Sequence, residues 1–424
     1  MILTSFNLNG LNCVHSLIEE NLGVLIKLLI LLYADDTVLM AESPQQLQDA
    51  LQVFENYCNP WKLKVNINKT KVVVFSRGIV RKQMQFYINN TSIEVAKEYL
   101  YLGILFSSNG RFCKAIKRLA GQASRSMFAV FKIIRKLEIP IDCQLKLFDQ
   151  LILPILLYGS EIWGHENVAI SILERCHLKF CKYILNVKQS TPDCMVYGEL
   201  GRYPMHIIIK SRIVSFWAKT IKSHNKLSNL LYNTMYSMSI NDANCNFKLI
   251  ESVKSVLQDT GYNYIWLTQF VPSVAWLNSN VKLVLIDQFK QTWQTDINRL
   301  SKCETYAQYK TSLSLEPYLL KLPYKQRIWI TKFRTTNNRL PIETGRWLNI
   351  PKVDRICSLC QLEVGDEFHF LLKCQFLSNL RKQIFPNYFC NNPTIEKLVY
   401  LLNSNYPPFL FKLHKYIKAG LSLF

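Results

Sequence analysis

The sequence predicts an α+β fold, with strands confined to its beginning and helices making up most of the rest. Three observations carry that expectation. Two short apolar runs, residues 28–32 and 37–40, bracket an acidic turn near the start, as in a buried hairpin. From Arg111 onward, apolar residues recur at helical spacing. Near the end, Cys357, Cys360, His369 and Cys374 form a compact Cys/His cluster.

Taken in order, the hairpin is followed by Ser43-Pro44, which reads as an N-cap and first helical residue. The helix it opens carries Leu47, Leu51 and Phe54 on one face. Residues 71–75 and 98–106 read as further strands. The clearest amphipathic element is a helix over residues 111–137. At roughly 100° per residue, Phe112, Ile116, Leu119, Ala123, Met127, Val130, Ile134 and Leu137 share one face, which must be core. Arg111, Lys114, Arg118, Arg125, Lys132 and Lys136 form an opposing stripe about 60° wide, without any acid. It is either a solvated face or a track for a nucleic-acid backbone, which Lys and Arg contact without base specificity. After Pro140, a second helix presents Leu145, Phe148, Leu151 and Ile152.

Composition bounds the function. The 424 residues are 49% hydrophobic and 12% aromatic, ample for buried cores. Fifty-one Lys plus Arg against thirty acids leave a formal charge of +21, which favours phosphate polyanions as partners. An anionic membrane surface would answer the same charge. The longest apolar run, residues 22–32, is broken by Lys27 and falls short of the about 20 residues a span needs. It also lies too far from the start for a secretory leader. The thirteen cysteines therefore read as thiols and metal ligands of an intracellular protein, in nucleus or cytoplasm, with no membrane association. Gly and Pro are sparse, so linkers are short and domain boundaries soft.

Two constellations carry chemistry. Adjacent carboxylates between apolar strands, Asp35 and Asp36, are costly unless neutralised, and Mg²⁺ (or Mn²⁺) is the usual remedy. Nucleotidyl transfer uses two such ions about 4 Å apart, and one turn cannot hold both. The spacing C-x2-C-x8-H-x4-C of Cys357, Cys360, His369 and Cys374 suits tetrahedral Zn²⁺. Scattered buried thiols beside a satisfied histidine are the alternative. Cys176, His177 and Cys181 share one helix and read as packing, and Cys390 and His414 as bystanders. Ahead of the cluster, Lys332, Arg334, Arg339, Arg346, Lys352 and Arg355 are interleaved with Trp329, Phe333 and Trp347, a mixture suited to phosphate contact and base stacking.

The order of segments adds a family. Tyr33-Ala34-Asp35-Asp36, Trp61-Lys62-Leu63-Lys64-Val65-Asn66, Lys69-Thr70-Lys71, Phe75-Ser76 and Tyr101-Leu102-Gly103-Ile104 together resemble the palm of reverse transcriptases from non-LTR, LINE-like retrotransposons. Pro154-Ile155-Leu156-Leu157-Tyr158-Gly159-Ser160-Glu161-Ile162-Trp163 looks like their thumb. Tyr197-Gly198-Glu199-Leu200-Gly201, Arg334-Thr335-Thr336-Asn337-Asn338-Arg339-Leu340 and Glu367-Phe368-His369-Phe370 resemble their C-terminal region. The resemblance covers most of the chain, loosely over 235–320. It implies a partial palm (1–110), thumb helices (111–165), a helical linker region (166–350) and a zinc knuckle with tail (351–424). It implies an RNA-directed DNA polymerase using dNTPs, an RNA template and a DNA primer or target. Asp35 would be the principal metal ligand and Asp36 its companion, with Tyr33 and Ala34 beside the primer end. Lys69 or Lys71 would protonate pyrophosphate, unless each is simply a solvated lysine. The knuckle would grip RNA or target DNA, serve as a structural staple, or both.

One departure governs the mechanism. Family members place fingers, a strand with the first catalytic Asp, and a Gln-Gly helix start before the hairpin. Here only residues 6–20 resemble the end of that helix, and no aspartate precedes Asp35, only Glu19 and Glu20. The expectation is a chain inactive by itself. The alternative function is a non-catalytic, zinc-dependent nucleic-acid-binding remnant.

Overall fold

A computed structural model describes residues 2–6, 30–33, 35–76, 84–224, 226–242 and 247–424. The sequence expectations for residues 7–20 and 22–29, for Glu19 and Glu20, and for Ala34 lie outside them. The chain forms two compact units. The first comprises Met1–Leu119, Tyr158–Ile172 and Arg212–Leu277, the second Ala120–Leu157, Leu173–Ser211 and Asn278–Phe424.

The first unit holds the strands: β1 (Ile2–Phe6), β2 (Ile30–Tyr33), β3 (Asp36–Ala41), β4 (Lys71–Phe75), β5 (Phe86–Ile88), β6 (Thr91–Val95), β7 (Glu98–Tyr101) and β8 (Ile104–Ser107). Six of them form one sheet in the order β2-β3-β1-β4-β6-β5. The expected hairpin is β2 and β3, antiparallel, with Tyr33 opposite Asp36 and Asp35 in the turn. Between β3 and β4 lies β1, parallel to both. The helix Pro44–Cys58 starts as its sequence dictates: the Ser43 hydroxyl accepts from Gln46 N–H at 3.2 Å, and Pro44 sits where no donor is needed. Its Leu47 and Leu51 are buried against Leu39, Val72, Val74, Phe86, Ile88 and Ile93, the core of this unit.

The segment 98–106 is not one strand. It folds back at Leu102-Gly103, both at positive φ (46° and 82°), into the hairpin β7–β8. That backbone suits the right-handed twist of paired strands. The hairpin β5–β6, which turns on Asn89 and Asn90 at φ 46° and 57°, was not anticipated. Its signal was present, since two asparagines between alternating apolar residues are a hairpin turn.

The amphipathic helix spans Cys113–Leu137. Ile116, Leu119, Ala123, Met127, Val130 and Ile134 are buried as its periodicity requires, while Leu137 is exposed and falls outside the expected core face. Leu151 is likewise exposed, although Leu145, Phe148 and Ile152 are buried. The helix Ile141–Leu147 widens there into a π-turn over Phe148–Ile152. The extra residue rotates Leu151 off the apolar face, just before Pro154, which has no N–H to donate.

The second unit is helical, and buried polar groups tie it together. Arg334 exposes 1% of its surface. Its Nε and Nη2 donate to Glu199 at 2.9–3.1 Å, Nη1 donates to the Leu402 carbonyl at 2.6 Å, and Nη2 lies 2.8 Å from Glu316 Oε2. Lys310 pairs with the same Glu316. Tyr318 donates its hydroxyl to Glu199 at 2.7 Å. Gly198, next to Glu199, has no room for a side chain, because a Cβ there would collide with the Tyr306 hydroxyl.

Candidate functional site

The acidic hairpin belongs to the first unit. Asp35 is exposed, Asp36 is half-buried at the start of β3, and Tyr33 is 63% exposed. The same end of the sheet carries both lysines singled out by sequence. Lys71 opens β4 and pairs with Glu94, its cross-strand neighbour on β6. Lys69 is exposed in the short turn Ile67–Lys69, and its carbonyl accepts from the Tyr99 hydroxyl at 3.0 Å. Burial, then the charge of Asp36, pushes the Tyr99 and Tyr101 phenols above their ordinary range, and Lys71 partly offsets this at Tyr99. Asp36, Tyr99, Lys71 and Lys69 are therefore one electrostatic neighbourhood. Sequence reading missed Tyr99, which is brought here by its hydrogen bond to Lys69, just ahead of β4.

Whether these residues suit a two-ion centre can be tested on the sheet. β3 is paired on one side with β2 and on the other with β1, whose Ile2-Leu3-Thr4-Ser5-Phe6 contains no carboxylate. Among the described residues, no third Asp, Glu or His comes within ligand range of the Asp35–Asp36 pair. Two adjacent carboxylates leave most of the coordination of two ions to other groups.

The turn Leu102-Gly103 is braced by Tyr158 and Arg118 of the same unit. The Tyr158 hydroxyl donates to the Leu102 carbonyl at 2.6 Å, and Arg118 Nη1 reaches the Gly103 carbonyl at 3.4 Å. Gly159 adopts φ 67°, and a side chain on it would meet Ile104 at 2.6 Å. Trp163 is fully buried and donates Nε1–H to the Tyr158 carbonyl at 2.9 Å.

Of the basic stripe, Arg111 and Lys114 are exposed in the first unit, where Lys114 pairs with Glu98 and Arg118 is half-buried. In the second unit Arg125, Lys132 and Lys136 are exposed. Of the mixed segment ahead of the Cys/His cluster, Arg339, Trp347 and Lys352 are exposed; Lys352 pairs with Glu304, and Lys188 Nζ sits 4.0 Å from the Trp347 ring centroid. Arg346 is half-buried and donates to Ser301 Oγ at 2.9 Å. Arg334 corrects the sequence reading. It is a core residue with two carboxylate partners and offers nothing to a phosphate. The alternation of bases and aromatics drew attention to it, but its partner Glu199 is far away in sequence, and Glu316 precedes it on a separate turn.

The structure gathers Cys357, Cys360, His369 and Cys374 so that their ligand atoms all lie within 4.8 Å of one another. Cys357 and Cys374 are fully buried, and their sulfurs stand 4.0 Å apart. Cys360 Sγ lies 3.2 Å from His369 Nε2. Tetrahedral Zn²⁺ with bonds of about 2.0–2.3 Å needs ligands separated by roughly 3.3–3.8 Å, so the donor set and spacing fit it. The loop is built by sequence: Gln361 turns at φ 57°, Cys357 N–H donates to the Glu363 carbonyl at 2.8 Å, and Ile356 bridges Val364. Asp366 caps His369 N–H at 2.7 Å. Glu363 Oε2 stands 3.6 Å from His369 Nδ1, beyond hydrogen-bond range, and accepts from Lys373 Nζ at 3.0 Å. Sequence reading passed over Glu363, although it lies within the ligand spacing.

Comparison with known proteins places these features. The family model described as reverse transcriptase (RNA-dependent DNA polymerase) matches residues 9–106. A transposon-derived protein of Caenorhabditis elegans is 30% identical over 146 residues, covering 33% of this chain and 50% of that protein. The RNA-directed DNA polymerases from mobile element jockey are 26% identical in Drosophila melanogaster and 24% in Drosophila funebris. Each match covers 32% of this chain and 16% of the relative. The chain thus matches half or less of each of these relatives.

Proposed function

We propose, from a chain whose residues 9–106 belong to the reverse transcriptase family, that this polypeptide is palm, thumb and C-terminal region of a non-LTR retrotransposon RNA-directed DNA polymerase. The observation that carries the reading is the Tyr33-to-Asp36 hairpin at the edge of its sheet, within the matched segment. In the complete enzyme, Asp35 and Asp36 would share Mg²⁺ (or Mn²⁺), with Tyr33 and Ala34 beside the primer and Lys69 toward the incoming dNTP. Lys71 suits a general acid less well, because Glu94 holds its ammonium. RNA template and DNA primer or target are the substrates.

These 424 residues by themselves bind nucleic acid without polymerising. Among the described residues no third carboxylate stands beside β3, whereas exposed cations remain on the basic helix. Zn²⁺ held by Cys357, Cys360, His369 and Cys374 would cross-link the loop 357–374 and contribute folding energy there. No helix among the described residues is long and apolar enough to cross a membrane. We place the protein where its nucleic-acid substrates are, in cytoplasm or nucleus.

The test is binding and extension with one preparation. RNA affinity should fall steeply with salt, and Lys132→Glu with Lys136→Glu should lower the slope of log K against log salt by about 2. No primer should be extended on an RNA template with Mg²⁺. Extension would sink the incompleteness of the metal site, and salt-independent or absent RNA binding would sink the nucleic-acid role.

A further inference from the structure

In the second unit three helical segments, residues 120–137, 173–185 and 324–334, bring aromatic rings and cations together in pairs. Phe128 has Lys179 Nζ 4.8 Å from its ring centroid, Tyr183 has the Arg135 guanidinium at 5.2 Å, and Tyr324 has that of Arg327 at 5.5 Å. The pairs adjoin one another. Phe131 sits edge-on to Phe128 with centroids 6.1 Å apart and stacks on Tyr183 at 3.5 Å. Arg135 Nε also donates to the Tyr183 hydroxyl at 2.5 Å. Burial raises the Tyr324 phenol above its ordinary range, Tyr183 adds to the rise, and Arg327 and Arg135 oppose it, so Tyr324 borders the same group.

Exposure and charge decide what this row can meet. Phe128 is 52% and Tyr324 39% exposed, and Arg125, Lys132, Arg135, Lys136 and Lys179 are exposed beside them. The three segments contain a single acid, Glu174, which accepts from the Tyr197 hydroxyl and the Met205 N–H. A merely solvated surface mixes signs, and an isolated exposed ring needs no explanation. Here adjoining rings, each beside a cation, lie in a field of one sign. Such a surface suits a polyanion that also presents flat apolar faces. Single-stranded nucleic acid is one, with a phosphate on every nucleotide and base faces free to stack on aromatic side chains. In a duplex the neighbouring base pairs cover those faces, and the rings would go unused. An acidic protein segment would answer the cations and leave the rings unexplained. The contact of Lys179 with Phe128 is of the weak, exposed kind, so a base can take the ring face while the ammonium turns to the adjacent phosphate.

We infer that Phe128 and Tyr324 are stacking platforms for unpaired bases of a single-stranded nucleic acid, whose backbone follows Arg125, Lys132 and Lys179. The inference deepens the nucleic-acid role proposed above and rests on it. It makes this surface a reader of strand state rather than of sequence, because every base has a face that can stack.

The experiment uses the full, zinc-loaded chain and three ligands: a short unpaired RNA of mixed sequence, the same backbone with abasic residues, and the same RNA annealed to its complement. The unpaired RNA should bind about tenfold or more tightly than its abasic counterpart, the gain expected from base–aromatic stacking, in a readout that needs no variant to fold. Phe128→Ala should lower affinity for the unpaired RNA about tenfold and leave that for the abasic strand and the duplex within about twofold, and Phe128→Tyr should keep the parent's affinity. Salt-dependent binding that loses nothing when the bases are removed would remove the platforms and leave the general role standing. A Phe128→Ala variant that weakens all three ligands alike, or none, would do the same. Polyglutamate bound as tightly as the unpaired RNA would give the surface to acidic protein segments and overturn the inference. Binding of no nucleic acid would remove both the inference and the role it rests on.

Discussion

Replacing Arg334 by Met tests whether a basic residue in an aromatic-rich segment serves the fold or the ligand. The side chain is closed off from solvent, and its charge is balanced by Glu199 and Glu316. Burial alone would lower its pKa, but the two carboxylates raise it well above the ordinary value, so it stays charged. Methionine fills similar space without charge. Glu316 would keep Lys310 and Glu199 would keep the Tyr318 hydroxyl, while the Leu402 carbonyl would lose its donor. Removing one partner from a buried ion pair costs about 3–5 kcal/mol. For a unit of this size, each kcal/mol lowers Tm by about 2–4 °C, so the expected loss is roughly 6–20 °C. Thermal denaturation by circular dichroism measures it. RNA affinity, read well below the variant's Tm, should stay within about twofold of the parent, since a buried side chain cannot meet a phosphate. An unchanged Tm with a clear loss of RNA affinity would refute the reasoning and return Arg334 to the interface.

Two further predictions address the same unit. Cys360→Ala should lower bound zinc below one equivalent and reduce Tm, and atomic absorption beside a melting curve checks it; full stoichiometry in the variant would remove the cluster as a zinc site. Glu174 carries a pH dependence. Burial would raise its pKa, but His177, the Tyr197 hydroxyl and Met205 N–H, the last at 2.6 Å, hold it below the ordinary carboxylate value. A depressed folded pKa contributes stability above the unfolded value of about 4.3 and loses it as pH falls through the folded one. The stability gap between parent and Glu174→Gln should therefore be full near neutrality and close as pH falls below about 4. A gap that widens on acidification would contradict that sign.

How much could be read beforehand depended on the range of the interaction involved. Ser43-Pro44 announced a helix because capping is settled within three residues, and the acidic hairpin was legible because its apolar flanks are immediate neighbours. The Cys/His cluster was legible for the same reason, since all four ligands fall between 357 and 374. Arg334 was misread because its partners arrive through tertiary packing, and local composition says nothing about a glutamate that far away. Leu151 and Leu137 show a milder failure. Helical periodicity fixes a face only while the turn keeps its pitch and the neighbouring element continues, and a π-turn and a helix end break those conditions.

The hairpin raises a different question, why the sheet closes on a strand, β1, that carries no carboxylate. The slot between β3 and β4 needs a strand, because its backbone donors and acceptors must be paired. Any segment of β-compatible sequence meets that need, and β1 meets it with Ile2-Leu3-Thr4-Ser5-Phe6. Ladder hydrogen bonds are blind to side chains, so the sheet closes whether or not the strand beside Asp36 carries a carboxylate. Metal binding is not blind in this way, since two adjacent carboxylates leave most of the coordination of two ions to others. Backbone pairing and coordination chemistry thus make separate demands on the strand beside β3, and only the first is blind to its side chains.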